Sequence, residues 1–570
     1  MWPHTASLVL LFALFGNVAS ASSACRNIPG SPGYPSLMQW NAFNSTISGR
    51  LVPVVPSAKY CESLPRSACT DEQWTSALFR GTIPGAMDQV NWEQGYDLKP
   101  PSLCLRNGTS TCGQGDVPIY SVEAETVEDI KYVVKFASNH NLRLVVKASG
   151  HDLLGRSTAP NSLLVRTSKF QNLSFTDAFF VGDENMGSAV TVGSGVYANT
   201  LYEQAKTHGK IVVAGAAATI VTAGGYIQGG GHSALSPLLG LAADNALEFQ
   251  IVVANGELLQ VNGISHPDLF YALRGGGAGS WGVIVSATIK TFPTFNATQI
   301  TTLLTATNNS VAGELATLHA RHIFDWDSVH ASQYVSFAKD PTVAGSAIVF
   351  GMATFVPDTT TSQSEALMEP FLNASLALPG VSLLEQQSFQ NTVINDILFQ
   401  TDDSVATNAV LGSRLIPAST YSESPEKVGE VYKKLLDCGT AFVVGVFVAG
   451  GKVAENANIS SAIHPAWRTA KSHVFVSKGW NDSASVAEIR SIRNQFQTTQ
   501  LPILKVLAGP NAGAYSNEAD VLEPDFQHTF FGPNYAKLSA IKWRYDPHDL
   551  FIVGSGVGSE RWDEWGICRV

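Results

Sequence analysis

Glycine-rich turns at the ends of predicted strands and helices constrain the fold of this chain more than any other feature. The first is KASGHDLLGRS at residues 147–157. Before it, PIYSVEA predicts a strand, TVEDIKYVVKFASNHN a helix capped by Thr126, and RLVVKA a buried strand. Ligands favour the carboxyl ends of strands in α/β sheets. The turn is therefore a candidate ligand site, and the alternative is an ordinary turn with a hydrogen-bonded histidine.

Two further glycine-rich stretches follow. GAAATIVTAGGYIQGGGHSALSPLLGLAADNALEFQIVVANGELLQV at 215–261 ends in two strands joined by an Asn-Gly hairpin signal. DLFYALRGGGAGSWGVIVSATIKTF predicts a helix, a glycine turn and a strand. GAGSWG at 277–282 matches G-x-G-x-x-G, but it leads from a helix into a strand, whereas a Rossmann site needs strand, turn, helix. Turns of this kind let backbone amides approach an extended, phosphate-bearing cofactor.

The remaining segments differ in composition and in predicted secondary structure. Residues 22–115 are rich in Pro, Gly, Ser and Cys and predict a loop-rich extension packed on a larger domain at 116–295. From 296 to 502, strands such as AGSAIVFGMATFVP and TAFVVGVFVAGG mix with helices such as TTSQSEALMEPFLNAS and SASVAEIRSIRNQFQTT. This mixture, without glycine motifs, predicts an α+β domain that covers the substrate. Residues 503–570 regain dense motifs and form a separate C-terminal segment.

Composition excludes several classes of protein. The 570 residues are 45% hydrophobic and 15% charged, which is typical of a globular chain. The net charge is −11 and there is no long basic run, so we expect no nucleic-acid partner.

The N-terminus predicts export. Residues 1–21 have a short apolar stretch and an A-x-A site typical of a signal peptide, the alternative being a buried N-terminal helix. No later segment predicts a membrane span. Eight N-x-S/T sequons favour a glycosylated, secreted protein; they lie at Asn44, Asn107, Asn172, Asn296, Asn308, Asn373, Asn458 and Asn481.

Cysteine usage fits an oxidising compartment. Five of the seven cysteines lie between Cys25 and Cys112, which predicts a disulfide-bonded N-terminal segment. Because the count is odd, at least one thiol is free or pairs between chains. Metal binding is the alternative, but no C-x-x-C occurs and we predict no metal.

Two catalytic classes lack their motifs. No G-x-S-x-G elbow and no H-E-x-x-H occurs, so neither an α/β-hydrolase serine nor that zinc site is predicted. His232 in GGGHS remains open: it is a metal ligand, or its ring bonds nearby backbone or a cofactor.

Four ordered motifs resemble those of the berberine-bridge-enzyme-like flavoproteins. They are KASGHDLLGRS, TAGGYIQGGGHSALSPLLGLAADNALEF, PDLFYALRGGGAGSWGVI and FFGPNYAKLSAIKWRYDPHDLF. The family belongs to the vanillyl-alcohol-oxidase superfamily, and the secreted fungal branch called isoamyl alcohol oxidases is the most similar. The resemblance is strong over 116–295 and 510–555. It implies an α+β, PCMH-type FAD-binding fold with an α+β substrate domain and a C-terminal return to the FAD domain.

The resemblance implies FAD as cofactor, joined through the ring of His151 to its 8α-methyl group. Many relatives have a second, cysteinyl link at the position of Ala218, so we expect a single link here. Val221 matches a position that governs oxygen access, where a small side chain favours an oxidase. The cofactor-binding residues that the resemblance implies are Lys147, Ala148, Ser149, Gly150, His151, Asp152, Gly155, Arg156, Ser157, Ala218, Val221, Gly224, Gly225, Gly230, Gly231, His232, Ile284 and Asn517.

The catalytic base is less well defined. Plant relatives often carry a glutamate where SHVFVSKGW has Phe475. AYSNEAD at 514–520 resembles the family's Ala-Tyr-x-Asn-Tyr, so Tyr515 and Glu518 are the candidates for positioning and deprotonating an alcohol. The alternative is that Asn517 and Glu518 bond the flavin or cap a turn. His473 and Lys478 are further candidates.

We therefore expect a secreted, monomeric FAD oxidase acting on a small molecule. It would transfer hydride from an alcohol carbon to the flavin, and O2 would reoxidise the flavin to give H2O2. The alternatives are a flavin-dependent oxidative cyclase of secondary metabolism and a flavin-binding protein without turnover. No motif in the central domain identifies the substrate.

Overall fold

The structure, a computed structural model, describes residues 25–106, 112–339, 347–390 and 393–570. The predicted signal peptide and the Asn107 sequon lie outside the described residues. None of the helices within these ranges is both long enough and apolar enough to cross a membrane.

The N-terminal extension is more helical than its composition predicts. Serine or threonine caps, such as Ser36 and Thr70 with a glutamine three residues later, start short helices in it. The Arg80–Glu93 ion pair, at 2.6 Å and with both side chains 1% exposed, fixes its interior. Its elements are α1 (Leu37–Thr46), β1 (Leu51–Pro53), α2 (Ser57–Glu62), α3 (Asp71–Thr75) and α4 (Ala77–Gly81).

The first lobe of the FAD domain contains the predicted strand-helix-strand unit. Thr126 caps its helix in a capping box with Asp129, as predicted. The elements are β2 (Tyr120–Glu123), α5 (Val127–Asn139), β3 (Leu144–Lys147) and β4 (Leu163–Arg166). The sheet order is β1-β2-β4-β3, so β1 of the extension completes this sheet and β4 separates the two predicted strands.

The second lobe is built on a five-stranded sheet of order β11-β10-β12-β8-β5. The predicted hairpin is confirmed as the antiparallel pair β10–β11, and the glycine turn before β12 leads into a strand as expected. The elements are β5 (Leu173–Thr176), β6 (Phe180–Val181), β7 (Glu184–Asn185), β8 (Ala189–Gly193), α6 (Ala198–Thr207), β9 (Lys210–Ile211), α7 (Ser236–Leu239), β10 (Ala246–Val252), β11 (Leu258–Asn262), α8 (Pro267–Leu273), β12 (Val283–Lys290) and β13 (Phe292–Pro293).

The following residues form a seven-stranded antiparallel sheet with helices on one face. Its order is β17-β14-β16-β15-β19-β20-β18. The elements are β14 (Ala297–Ala306), α9 (Asn309–His322), β15 (Ser332–Lys339), β16 (Ile348–Pro357), α10 (Thr361–Leu376), β17 (Val381–Gln390), α11 (Ile394–Leu398), β18 (Ala409–Pro417), α12 (Ala418–Glu423), α13 (Pro425–Asp437), β19 (Phe442–Phe447), α14 (Gly451–Glu455), β20 (Ala470–Gly479), α15 (Val486–Gln495) and α16 (Leu501–Ala508).

Side chains along β20 face its two sides in alternation, and this places His473 on the side of the FAD domain. Val474 and Val476 pack into the core beneath the helices, whereas Phe475 packs against the core of the FAD domain. Side chains two residues apart share a face, so His473 lies on the same side as Phe475, toward the FAD domain.

The C-terminal segment returns to the FAD domain through α17 (Tyr535–Tyr545). Disulfides Cys61–Cys69 and Cys104–Cys112 lie in the extension, as the cysteine spacing predicts, and Cys25–Cys568 joins the two ends of the described chain. Cys438 is free, which agrees with the odd cysteine count.

Candidate functional site

One cavity brings the predicted motifs together. Its wall comes from the turn after β3, from residues 220–228, from the glycine turn before β12 and from residues 515–518. The predicted site residues that line it are Ala148, Ser149, Gly150, His151, Asp152, Arg156, Ser157, Val221, Gly224, Gly225, Ile284, Tyr515, Asn517 and Glu518. Segments far apart in the sequence therefore share one site.

Much of this wall is backbone. Gly150 has φ +103°, and a Cβ there would lie 3.2 Å from the Ala86 carbonyl oxygen. Gly282 has φ +150°, and a Cβ there would lie 2.4 Å from the Val252 carbonyl oxygen. The positive φ and these contacts disfavour a side chain at both positions, so the wall there consists of backbone. Such a wall fits a phosphate-bearing cofactor, which needs many N–H donors.

Two polar side-chain atoms of the wall lack a protein partner among the described residues. Ser194 Oγ and Gln228 Oε1 are buried and accept or donate no hydrogen bond within the described part of the chain. Buried polar groups are nearly always bonded, to a ligand or water where no protein group is available. Both residues therefore fit a polar ligand such as FAD, and neither was predicted from the sequence.

His151 lies beside a carboxylate that the sequence did not associate with it. Asp88 Oδ2 of the N-terminal extension is 3.1 Å from His151 Nδ1, and Thr219 Oγ1 is 3.4 Å from the same atom. Burial lowers the pKa of His151, but the carboxylates of Asp88, Asp403 and Glu518 together more than offset this, so the pKa lies above its usual value. Asp403, whose Oδ2 accepts from the Thr219 amide at 3.3 Å, adds a second negative charge nearby.

At the 515–518 edge of the cavity, Glu518 lies between two histidines. Its Oε1 is 3.1 Å from His232 Nε2, and its Oε2 is 2.9 Å from His473 Nε2. The Glu518 side chain is 23% exposed and lines the cavity, whereas His473 is fully buried behind it. The rings of Tyr515 and Trp467 enclose both histidines.

The electrostatics of this cluster follow from burial and from these contacts. Burial alone would raise the pKa of Glu518, but His232 and His473 hold it well below its usual range. Burial lowers the pKa of His473, although Glu518 acts in the opposite direction. Burial also raises the pKa of Tyr515, so its phenol stays protonated. Glu518 is therefore the ionised group of the cluster.

Some predicted residues lie outside the cavity wall. Lys147 Nζ donates to the carbonyls of Pro84 and Ala86, so its side chain contacts the extension. Gly155 packs against Trp92, and His232 belongs to the Glu518 cluster. The others outside the wall are Ala218, Gly230 and Gly231.

The remaining candidates are also placed. Asn517 Nδ2 donates to the Gly225 carbonyl at 3.1 Å, so it holds the glycine turn while it also lines the cavity. Phe475 stacks beside the His473 ring. Lys478 is half-buried, and its Nζ donates to Gln495 Oε1 at 3.1 Å outside the cavity wall.

Comparison with known sequences agrees with this geometry. The FAD binding domain family model matches residues 118–262, and the berberine and berberine-like model matches residues 514–558. An uncharacterized FAD-linked oxidoreductase of Arthroderma benhamiae is 36% identical over 99% of both chains. The FAD-linked oxidoreductase patO of Aspergillus clavatus is 31% identical over 96% of this chain and 95% of its own.

Solved structures show the same architecture. A VAO-type flavoprotein from Myceliophthora thermophila C1 has a TM-score of 0.86 and 28% identity, covering 96% of this chain and all of its own. The glucooligosaccharide oxidase of Acremonium strictum, which has a 6-S-cysteinyl, 8α-N1-histidyl FAD, has a TM-score of 0.62 and 17% identity over 77% of this chain and 91% of its own. The PCMH-type fold predicted from the motifs is confirmed.

Proposed function

Because the chain belongs to the berberine-bridge-like FAD-linked oxidoreductases, we propose that it is a secreted oxidase that converts an alcohol to a carbonyl compound. The observation that carries the proposal is the ionised Glu518 carboxylate at the edge of a cavity walled by backbone. When bound there, FAD supplies the acceptor for hydride and the means of passing electrons to O2, which becomes H2O2.

The residues proposed to hold FAD are those of the cavity wall. Backbone amides of 148–155 would hold the pyrophosphate, and Ser194 and Gln228 would supply polar contacts. His151 is the proposed covalent tether to the 8α-methyl group. Ala218 lacks the thiol needed for a second link of the kind named for the Acremonium enzyme, so a single link is proposed.

The proton of the alcohol is proposed to pass to Glu518. The Glu518 carboxylate belongs to the buried histidine cluster and also lines the cavity. Asn517 Nδ2 donates to the Tyr515 hydroxyl oxygen at 3.0 Å and so holds the phenol in place. Tyr515 keeps its proton and can donate to the substrate oxygen, while Glu518 accepts. Val221 lines the cavity with a small side chain, which supports reaction with O2.

Secretion is supported by three disulfides and by the position of the sequons. None of the seven sequon asparagines within the described ranges is buried. Glycans could therefore be attached to the folded surface at each of them.

The proposal is tested by substrate-driven bleaching of the flavin in the wild type and in Glu518→Gln, followed without O2. We expect the variant to reduce its flavin at least about 100-fold more slowly, as for loss of a general base. Lys478→Gln, which changes a half-buried side chain outside the cavity wall, is the control and should match the wild type.

Product analysis defines the reaction. A carbonyl product with an unchanged carbon skeleton, formed with equimolar H2O2, is expected. Ring formation would assign the protein to the oxidative cyclases instead, and near-normal bleaching in Glu518→Gln would remove the base role of that residue.

A further inference from the structure

The geometry of the two histidines beside Glu518 indicates which ring nitrogen carries the proton in each. Their Nε2 atoms point at opposite oxygens of one carboxylate, at 3.1 Å from His232 and 2.9 Å from His473. Their Nδ1 atoms are buried and have no hydrogen-bond partner in the parts of the chain that the structure covers. A buried N–H without an acceptor costs about 1–3 kcal/mol. The ring proton therefore sits on Nε2 in both residues, and both donate to Glu518.

Among the described residues, the ion-pair partners of Glu518 are His232 and His473. No lysine or arginine among the described side chains forms an ion pair with it. Burial raises the pKa of the phenols near Glu518, so they stay protonated. The Glu518 charge also raises the pKa of His151. The titratable groups facing Glu518 are His151, His232, His473, Tyr226, Tyr334 and Tyr515. The anion is thus stabilised by the N–H groups of His232 and His473.

We propose that His232 and His473 are positioning residues that keep Glu518 ionised, so that the site continues to accept substrate protons in acidic surroundings where an ordinary glutamate would be neutral. The proposal rests on the proposed function, because it assumes that Glu518 is the base. Neither histidine needs to take up a proton for this role. Each acts through the hydrogen bond that it donates.

A bound metal ion is the competing interpretation of this cluster. The three ligand atoms lie within 4.8 Å of one another, which is compatible with a two-histidine, one-carboxylate site. A metal would occupy both Nε2 lone pairs and force both protons onto Nδ1. Metal-bound histidines normally donate that second N–H to an acceptor, and neither Nδ1 has one here. The geometry therefore favours the hydrogen-bonded unit.

The sign of the pH effect follows from the direction of the shift. The pKa of Glu518 lies well below its usual range, so the carboxylate stays ionised until the medium is strongly acidic. Removing one donor raises this pKa. The rate of flavin reduction would then begin to fall at a higher pH, because Glu518 becomes protonated earlier.

The test compares two substitutions at one position in the holoenzyme. His473→Leu removes the donor, whereas His473→Gln keeps an N–H at a similar reach but cannot become an imidazolium. We expect the acid limb of the flavin-reduction rate to move up by about one to two pH units in His473→Leu. In His473→Gln it should stay close to the wild-type position. The matched pair His232→Leu and His232→Gln repeats the comparison should a His473 variant not fold.

A second readout does not depend on turnover. The Glu518 carboxyl is titrated in holoenzyme carrying 13C-labelled glutamate, with Glu518→Gln assigning its signal. Its pKa should rise in the leucine variants and stay low in the glutamine variants. If this holds while no alcohol bleaches the flavin, the oxidase function fails but the positioning role stands.

Three results would overturn the proposal. One is an acid limb and a carboxyl titration that do not move in the leucine variants. Another is an equal shift in the leucine and glutamine variants, which would assign the effect to a charged imidazole. The third is one equivalent of tightly bound metal that is lost on His473→Leu.

Discussion

At the residue scale, the contact between Asp88 and His151 leads to a prediction about the rate of covalent flavin attachment. Asp88 raises the pKa of His151 and holds its ring at 3.1 Å. Asp88→Asn keeps the shape of the side chain but removes its charge. We expect the rate of covalent flavin attachment to fall about tenfold, as for loss of a charged hydrogen bond of about 1.5 kcal/mol. The measurement is the yellow fraction retained in the acid-precipitated pellet over time, with the flavinylated peptide identified by mass.

The control for this prediction is Asp177→Asn, because Asp177 is a 92% exposed carboxylate paired with Lys210. It should attach flavin at the wild-type rate. Equal rates in Asp88→Asn and the wild type would show that the contact has no role in attachment. A wild-type protein whose colour is released by acid would instead contradict the histidyl tether itself.

Individual residues also show which parts of the site can be predicted from the sequence. His151, Val221 and Glu518 lie in recognisable motifs, and the cavity contains all three. Asp88 and Ser194 stand in stretches without a motif and become site residues only through tertiary contacts. Their roles depend on which segments of the chain pack together. The hydrophobic periodicity of the sequence does not predict this packing.

At the element scale, helix α17 fixes one wall of the cavity. Lys542 Nζ, 1% exposed, donates to Asp546 Oδ2, to the Phe551 carbonyl and to the Ser280 carbonyl in the turn before β12. Lys542→Met leaves Asp546 buried without its cation. We expect a loss of about 3–5 kcal/mol in the free energy of unfolding, seen as a lower denaturant midpoint.

Arg544→Met is the matched control on the same helix. Arg544 pairs with Asp268 across an exposed surface, with 67% of the arginine side chain accessible. Exposed pairs contribute about 0–1 kcal/mol, so the midpoint should move little. Similar losses in the two variants would show that the Lys542 network does not stabilise the turn.

The elements themselves were largely predictable, but their order in the sheets was not. The helix α5 follows from its cap and its 3.6-residue period, and β10 and β11 follow from the hairpin signal. Strand β4 is a four-residue run that pairs in parallel with both β2 and β3. Such pairing is non-local, so nothing within the short run itself predicts its two neighbours.

At the scale of the whole molecule, the two ends of the described chain close on the FAD domain together. Cys25 is bonded to Cys568 across 543 positions of sequence. Arg26 adds hydrogen bonds from its guanidinium to the carbonyls of Gly566 and Leu142, and it stacks over Trp562. The covalent bond restricts the unfolded chain, whereas the Arg26 contacts stabilise only the folded one. Their contributions can therefore be separated.

Removing the bond with Cys25→Ser and Cys568→Ser together should lower stability by about 2–5 kcal/mol, or roughly 5 °C in the thermal midpoint at one fixed scan rate. Cys438→Ser is the control, since Cys438 is free and its substitution should shift the midpoint by about 1 °C or less. Because the Arg26 contacts still hold the N-terminal residues in the double variant, we expect the folded enzyme to keep the flavin absorption spectrum of the wild type. A change in that spectrum toward solvent-exposed flavin at temperatures well below the midpoint would show instead that the disulfide, and not the Arg26 contacts, keeps the FAD domain closed.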